Sequence, residues 1–266
     1  MIIAIDNTSD ILSEDCKKYN LLSLPCGISY KDKDLLVNAY THEEYKENLY
    51  EYLNEGGIPK TFRDLGSWVD IISEEIKKDD ILFISTSIKI AGDIKTANLV
   101  KNLVGEISNH KFIPFDTGMS SSGVRACTFR AVELRNKGFS LDEVISDLND
   151  FKKKVHFIFT CESSDYLNSY GKIYGDRTVK DWPIIDTIDD KMTFISKNDS
   201  FEKAVDGILK RNSKYSKVIT TYTEDCPEEH KDYILKNFHN VEMTPASLSI
   251  LTVAGLGTFT FAFIND

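Results

Sequence analysis

Apolar residues in this chain gather into short runs, and polar stretches with helical spacing separate most of them. The runs Ile2–Ile5, Leu21–Leu24, Ile81–Ile84, Phe112–Phe115, Val155–Thr160, Lys217–Thr221 and Ser249–Val253 predict strands. Thr41–Asn54 predicts a helix, because Thr41 stands at an N-cap position with Glu44 three residues on. Ser122–Lys137 and Leu141–Lys153 carry apolar residues at helical intervals and predict two more. The first half therefore alternates strand and helix. Parallel strands need crossover helices to return the chain, so residues 1–153 predict a mainly parallel, layered sheet. Residues 154–266 read differently. The stretch WPIIDTIDDKMTFIS from Trp182 to Ser196 predicts a hairpin turning at IDD, and the chain ends in alternating small and aromatic residues, LGTFTFAF. The expected fold class is α/β with two domains, 1–153 and 154–266, the second containing some antiparallel strands.

The stretch Ile81–Asn98, ILFISTSIKIAGDIKTAN, is the most informative unit: a buried strand, a small-residue loop, then a helix. Backbone N–H groups and hydroxyls converge where a strand ends and a helix begins, which suits an oxygen-bearing ligand. Similar hydroxyl- or glycine-rich connections occur at Asp6–Asp10, Lys60–Phe62, Asp116–Gly123 and Gly255–Thr258. In a layered α/β protein the carboxyl ends of parallel strands share one edge, so such loops can meet in one crevice.

Composition narrows the function classes. With 266 residues, 41% hydrophobic and 28% charged, the chain can bury a large core but exceeds the commonest single-domain size. A formal net charge of -10 opposes binding to nucleic acid or an anionic membrane surface. No apolar run approaches the roughly 20 residues of a membrane span, so no membrane insertion is expected. The N-terminus MIIAIDNTSD carries no basic leader or apolar signal core, which predicts a cytoplasmic protein. Cys16, Cys26, Cys127, Cys161 and Cys226 are widely spaced without a CxxC pair, so neither disulfides nor zinc is indicated. Cys127, near a predicted helix start, reads as a core residue. His42, His110, His156, His230 and His239 lack ligand spacing, and no GxSxG, P-loop, HExxH or GxGxxG motif occurs. No cofactor, metal or catalytic residue is expected.

The hydroxyl-bearing loops also carry a resemblance. DNTSDI from Asp6 resembles a DSTSDL opening, KTF from Lys60 a KTSQPS loop, and SIKIAGDIKTA from Ser87 the segment SSKLSGTYQSA. DTGMSSSGVRACTFRAVEL from Asp116 resembles the pattern DSxxxSxGxGxxxxxAxxL, DYLNSYGKI from Asp165 resembles EYLKKGGRI, and AGLGTFTFAF from Ala254 resembles GPGTLGLAF. In order and at compatible intervals, these segments resemble the DegV family from residue 6 to residue 263. The resemblance implies a DegV-like two-domain α/β fold that buries one long-chain fatty acid between its domains. It implies a non-catalytic carrier, whose ligand is presented to a separate fatty-acid kinase.

At the head-group end the sequence departs from the pattern. Thr61 keeps the threonine of the KTS loop, but Phe62 replaces its serine and Ala91 the serine before Gly92. Val253 stands where the resemblance places a histidine, shortly before Gly255. Asp93 replaces a threonine, and a like charge ~5 Å from a ligand carboxylate would cost ~3 kcal/mol at an effective dielectric of about 20. Arg63 either pairs with Asp93, supplies the missing positive partner, or is a surface arginine. Ser121 either lines the crevice or caps the following helix. Lys172 replaces an arginine, keeping charge but losing the planar fork, which bears on kinase docking. Phe259, Phe261 and Phe263 share one strand face, which fits a packed core better than a lipid tunnel. The candidate ligand-binding set is thus Thr61, Phe62, Arg63, Ala91, Gly92, Asp93, Ser121, Val253 and Gly255. The competing function is a small-molecule binder or enzyme with a polar Arg63/Asp93 site that no longer takes fatty acids, and a third reading is an interaction module that keeps only the fold.

Overall fold

The computed structural model describes residues 1–171 and 181–265. In chain order its elements are β1 (Ile2–Ile5), α1 (Ser13–Tyr19), β2 (Leu21–Ser23), β3 (Cys26–Tyr30), β4 (Lys33–Val37), α2 (His42–Asn54), β5 (Lys60–Phe62) and α3 (Leu65–Glu75). There follow β6 (Ile81–Ser85), α4 (Asp93–Val104), β7 (Phe112–Asp116), α5 (Ser122–Asn136), α6 (Leu141–Phe151), β8 (Val155–Thr160) and α7 (Asp165–Ser169). The chain closes with β9 (Ile184–Ile188), β10 (Lys191–Ser196), α8 (Phe201–Arg211), β11 (Lys217–Tyr222), α9 (Glu228–Asn237), β12 (Val241–Pro245), α10 (Leu248–Ala254) and β13 (Phe259–Ile264).

Three sheets result. The order β2-β1-β6-β7 is wholly parallel, as the alternating pattern of the first half predicts. From β1 the chain moves outward to β2, and from β6 it moves the other way to β7, so the winding direction reverses between β1 and β6. In an open parallel sheet, the carboxyl edge at that reversal leaves a crevice. The second sheet runs β10-β9-β8-β13-β11-β12, antiparallel except for β11 with β12. The hairpin expected at Trp182–Ser196 is β9–β10, turned by Asp189 and Asp190 with φ of 50° and 59°. Two successive positive φ values match the twist of a tight hairpin, and aspartate tolerates them. Helix α5 lies between the sheets, touching β1 and β6 on one side and β8, β11 and β13 on the other.

Two elements differ from the sequence reading. Ser249–Val253 is helical, not a strand: it falls inside α10, where the Ser247 side chain accepts from the Ile250 N–H as N-cap and Thr252 Oγ1 donates to the Leu248 carbonyl. A short apolar β-branched run satisfies either geometry, and the cap decides it. Lys60–Phe62 is not a connection but β5, completing the small antiparallel sheet β4-β3-β5. On β13, Phe259, Phe261 and Phe263 pack with Phe201 and Phe238 under α8 and α9. The same strand turns Ala262 to the large core that holds Phe157 and Phe159 of β8, as strand alternation requires.

His156 of β8 ties this sheet to its neighbours. Its Nε2 lies 2.6 Å from Asp186 Oδ1 and its Nδ1 2.5 Å from Asn212 Oδ1. Asn212 Nδ2 donates to the Ile208 carbonyl at 2.9 Å, which leaves the amide oxygen facing the ring. Two acceptors on two ring nitrogens call for the imidazolium. The bond to Asp186 raises the His156 pKa above its usual value, against a downward effect of burial. A raised folded pKa gives stability that is fully present below the unfolded value of about 6.5 and is lost as pH rises through the folded value. His156→Gln is therefore expected to cost about 1 kcal/mol, or roughly 2–4 °C of Tm, at pH 6, with a smaller gap at pH 9 in calorimetry.

Candidate functional site

The turn after β1 builds one wall of the site. Asp6 caps that turn, accepting from Thr8 N at 2.8 Å and Thr8 Oγ1 at 2.5 Å, and from Ser85 Oγ at the end of β6. Thr86 Oγ1 donates to Thr8 Oγ1 at 2.7 Å and lies 3.5 Å from Ser120 Oγ in the loop after β7. Three connections that follow parallel strands thus meet at the carboxyl edge of the first sheet. Burial, then repulsion from Asp93, pushes the Asp6 carboxyl up to about 7, with Arg63 and the hydroxyl donors opposing.

A second buried carboxylate lies at the far side of this wall. Asp10, with φ of 51°, accepts from the Ser247 N–H at 2.7 Å and from Ser121 Oγ. Burial raises its pKa, against the hydrogen bonds it accepts. Ser121 Oγ also lies 2.8 Å from Thr221 Oγ1 and 2.9 Å from Thr260 Oγ1, and Thr260 Oγ1 donates to Ser122 Oγ at 2.8 Å. Ser121 adopts φ 48°, ψ −121° at the start of α5. A non-glycine residue persists there only when its surroundings over-determine it, and its hydroxyl is gripped from three elements.

Between these walls lies a cavity with an empty volume of about 580 Å³, its open mouth included. Thr8, Thr61, Arg63, Thr86, Ser120, Ser121, Ser249 and Thr260 supply its polar lining. Ile90, Ala91, Phe157, Phe159, Leu167, Met192, Ile250, Val253 and Ala254 supply the apolar lining. The Phe157 and Phe159 rings stack with centroids 5.8 Å apart. The Ser249 hydroxyl is buried without a protein partner at hydrogen-bond geometry.

Arg63 and Asp93 form a forked pair. Arg63 Nη2 donates to Asp93 Oδ2 at 2.8 Å and Nε to Oδ1, while Nη1 donates to the Phe62 carbonyl at 3.0 Å and to Cys26 Sγ at 3.1 Å. Asp93 is fully buried. Against the downward effect of its own burial, the Asp93 carboxylate raises the Arg63 pKa and keeps it charged. Of the three roles open to Arg63 from sequence, the structure places it in the pair and in the cavity wall at once.

Of the nine candidate residues, Thr61, Arg63, Ala91, Ser121 and Val253 line the cavity. Asp93 stands one layer behind Arg63. The Phe62 ring instead covers Gly27, where a Cβ would lie 2.3 Å from it. Gly92 caps α4 with open space where a Cβ would project. Gly255 ends α10 at φ 85°, its backbone against the Tyr166 ring. Lys172 lies outside the described residues. Sequence reasoning missed Phe157, Phe159, Leu167, Met192, Ser249 and Ile250. Alternation along β8 pairs the two phenylalanines on one face but does not tell which face borders a cavity.

The fold and site define a class: a parallel sheet and a mixed sheet packed about a shared helix, with a cavity of polar and apolar lining at the carboxyl edge of the parallel sheet. The model of the uncharacterised DegV protein family matches residues 1–266, so this chain belongs to the DegV family. A DegV domain-containing protein of Clostridium acetobutylicum is 25% identical over 219 residues, covering 79% of this chain and 75% of the relative. A crystal structure of a DegV lipid-binding protein from Thermotoga maritima superposes with a TM-score of 0.84 at 20% identity, covering 99% of this chain and 97% of that one. The Streptococcus pneumoniae Fatty Acid Kinase (Fak) B3 protein, loaded with linoleic acid, superposes with a TM-score of 0.81 at 15% identity, covering both chains completely (100% and 100%).

Removing one partner of a buried ion pair strands the other charge. Arg63→Met is expected to lower unfolding free energy by about 3–5 kcal/mol in urea titrations at pH 7.5. The double change Arg63→Met with Asp93→Leu is expected to recover most of that loss, since no lone charge then remains.

Proposed function

We propose that this chain is a non-catalytic carrier that holds one long-chain lipid, of the fatty-acid class, in the cavity between residues 1–153 and 154–266. The observation that carries the reading is the cavity wall itself. It joins a continuous apolar surface to a cluster of hydroxyls, and Arg63 is its only charged lining residue among those described. Among the described residues the lining holds no histidine, cysteine, lysine or carboxylate that could pair as nucleophile and base, which supports a holder over an enzyme. The linoleic acid carried by the pneumococcal neighbour, and the description of the Thermotoga neighbour as lipid-binding, support it further.

Burial of the tail drives binding. About 15 methylenes at ~0.8 kcal/mol each give a gross gain of ~12 kcal/mol, from which the costs of association and chain ordering are subtracted. The hydroxyls near Thr61 and Ser121 set which end enters last. The finer part of the proposal, presentation of the head group to a separate fatty-acid kinase, is supported by the name of the pneumococcal neighbour. Residence of the carrier in the cytoplasm belongs to the same reading. Among the described residues no helix is long and apolar enough to cross a membrane.

Organic extraction of the purified protein is expected to release long-chain lipid in near-stoichiometric amount. Delipidated protein at a ligand concentration of about 100 Kd is expected to gain about 2.7 kcal/mol of stability, seen as a rise in Tm. Ala91→Trp, which fills the cavity from a half-buried position, is expected to weaken lipid binding at least about tenfold while the protein stays folded. No extractable lipid together with no thermal shift for any long-chain ligand overturns the proposal.

A further inference from the structure

The polar end of the cavity holds a cation that has almost nothing left to give. A guanidinium carries five N–H donors. Four of those on Arg63 go to the two Asp93 oxygens, the Phe62 carbonyl and Cys26 Sγ, leaving one for a ligand. The fork that would clasp a carboxylate on two parallel bonds is already occupied by a carboxylate of the protein. No second cation compensates among the described residues near this end. Arg125 is held by Asp15, Glu242 and the Asp10 carbonyl, and Lys89 by Asp190 and the Asp189 carbonyl.

Among the described residues, acidic groups around this end outnumber cationic ones. Asp6 of the β1 turn accepts from Thr8 and Ser85, Asp10 lies under Ser121, and Asp93 of α4 backs Arg63. The other titratable groups there are Cys26 of β3 and Tyr170 after α7. Burial pushes the thiol up to about 11 and raises the phenol, so both stay neutral near pH 7. Among the described residues, a ligand carboxylate would find a single guanidinium N–H and no free counterion, an arrangement that is costly for a buried charge.

What the wall does offer is hydroxyls. Thr61, Thr86, Ser120 and Ser249 line it, and each can turn to donate or accept. The Ser249 hydroxyl is 1% exposed and has only the Cys26 thiol, a weak hydrogen-bonding group, beside it. A buried hydroxyl in a cavity wall that meets no protein group stronger than a thiol keeps hydrogen-bonding capacity for a ligand.

We propose that this site binds an uncharged, hydrogen-bonding head group: the chain holds its lipid as a long-chain alcohol, an amide or monoacyl ester, or a fatty acid in its protonated form. The inference rests on the lipid-carrier reading above and refines its head group. An acid must then be protonated to bind, and ionisation of Asp6 as pH rises works in the same direction.

Equilibrium binding of oleyl alcohol and oleic acid to delipidated wild-type protein at pH 6, 7 and 8 tests it. The alcohol Kd is expected to stay within about twofold across the range, while the oleic acid Kd rises about tenfold per pH unit, as for a ligand whose carboxyl ionises well below pH 6. Asp93→Asn, which releases the Arg63 fork, is expected to tighten oleic acid relative to oleyl alcohol at least about tenfold at pH 8. If that variant does not fold, the wild-type comparison decides alone. Oleic acid bound equally at pH 6 and pH 8, and at least as tightly as the alcohol at pH 8, overturns this inference and leaves the carrier reading standing. Binding of neither ligand at any pH overturns both.

Discussion

One buried carboxylate holds the two halves of the site in register. Asp10 gives one oxygen to the N–H of Ser247, the N-cap of α10, and the other to the hydroxyl of Ser121 at the start of α5. Through Ser121 the bonds continue to Thr221 and Thr260 on two strands of the second sheet. The turn after β1, two helix N-termini and the central strands of the other sheet are thereby fixed to one charge. The strength of such a hub lies in the penalty for breaking it, since every group left unpaired in a dry interior costs its full desolvation. It also explains how Ser121 is held at φ 48°, a conformation its backbone would not keep unaided. The cavity opens beside this hub, lined by those loops and by Phe157 and Phe159 of β8.

The Arg63–Asp93 pair applies the same physics with the opposite result for a ligand. A lone arginine facing a cavity would recruit an anion. Fastened to a fully buried aspartate and to a backbone carbonyl, it becomes part of the wall. Buried pairs of this kind are weak sources of net stability, because desolvation offsets most of the attraction, but they are strict about what fits beside them. Thr61 and Arg63 sit two residues apart around Phe62, whose ring is committed to Gly27. The β3–β5 register that pairs Gly27 with Phe62 is thus what delivers both polar groups to the cavity.

Much of this architecture is legible in the sequence, for identifiable reasons. The parallel strands read as short apolar runs because both faces of that sheet are covered. The β9–β10 hairpin reads from two aspartates that accept positive φ. By contrast, Ser249–Val253 carries β-branched residues in a run too short for periodicity to separate strand from helix, and the deciding cap at Ser247 lies before it. The β5 strand is three residues long and gains its identity only by pairing with β3. Of the site, the hydroxyl loops after β1, β6 and β7 announce themselves by composition. The apolar lining does not, because Phe157, Phe159 and Met192 differ from core residues only in facing a gap.

That last point bears on how binding and folding are linked. Ile90, Phe157, Phe159, Leu167, Met192, Ile250 and Ala254 line the cavity and also belong to the largest buried cluster. The cavity is a gap in the main core. Side chains around a gap forfeit contacts that a filled interior would supply, and the loss grows with the volume left empty. On the carrier reading proposed above, an alkyl tail acts as a missing piece of core, gaining its own burial and restoring contacts along β8 and α10. The stacked phenylalanines form part of that wall. On the proposed reading, the head group meets hydroxyls beside a neutralised arginine. On that reading tail burial supplies most of the drive, and the polar end need only accept a head group that does not bring an unpaired charge with it.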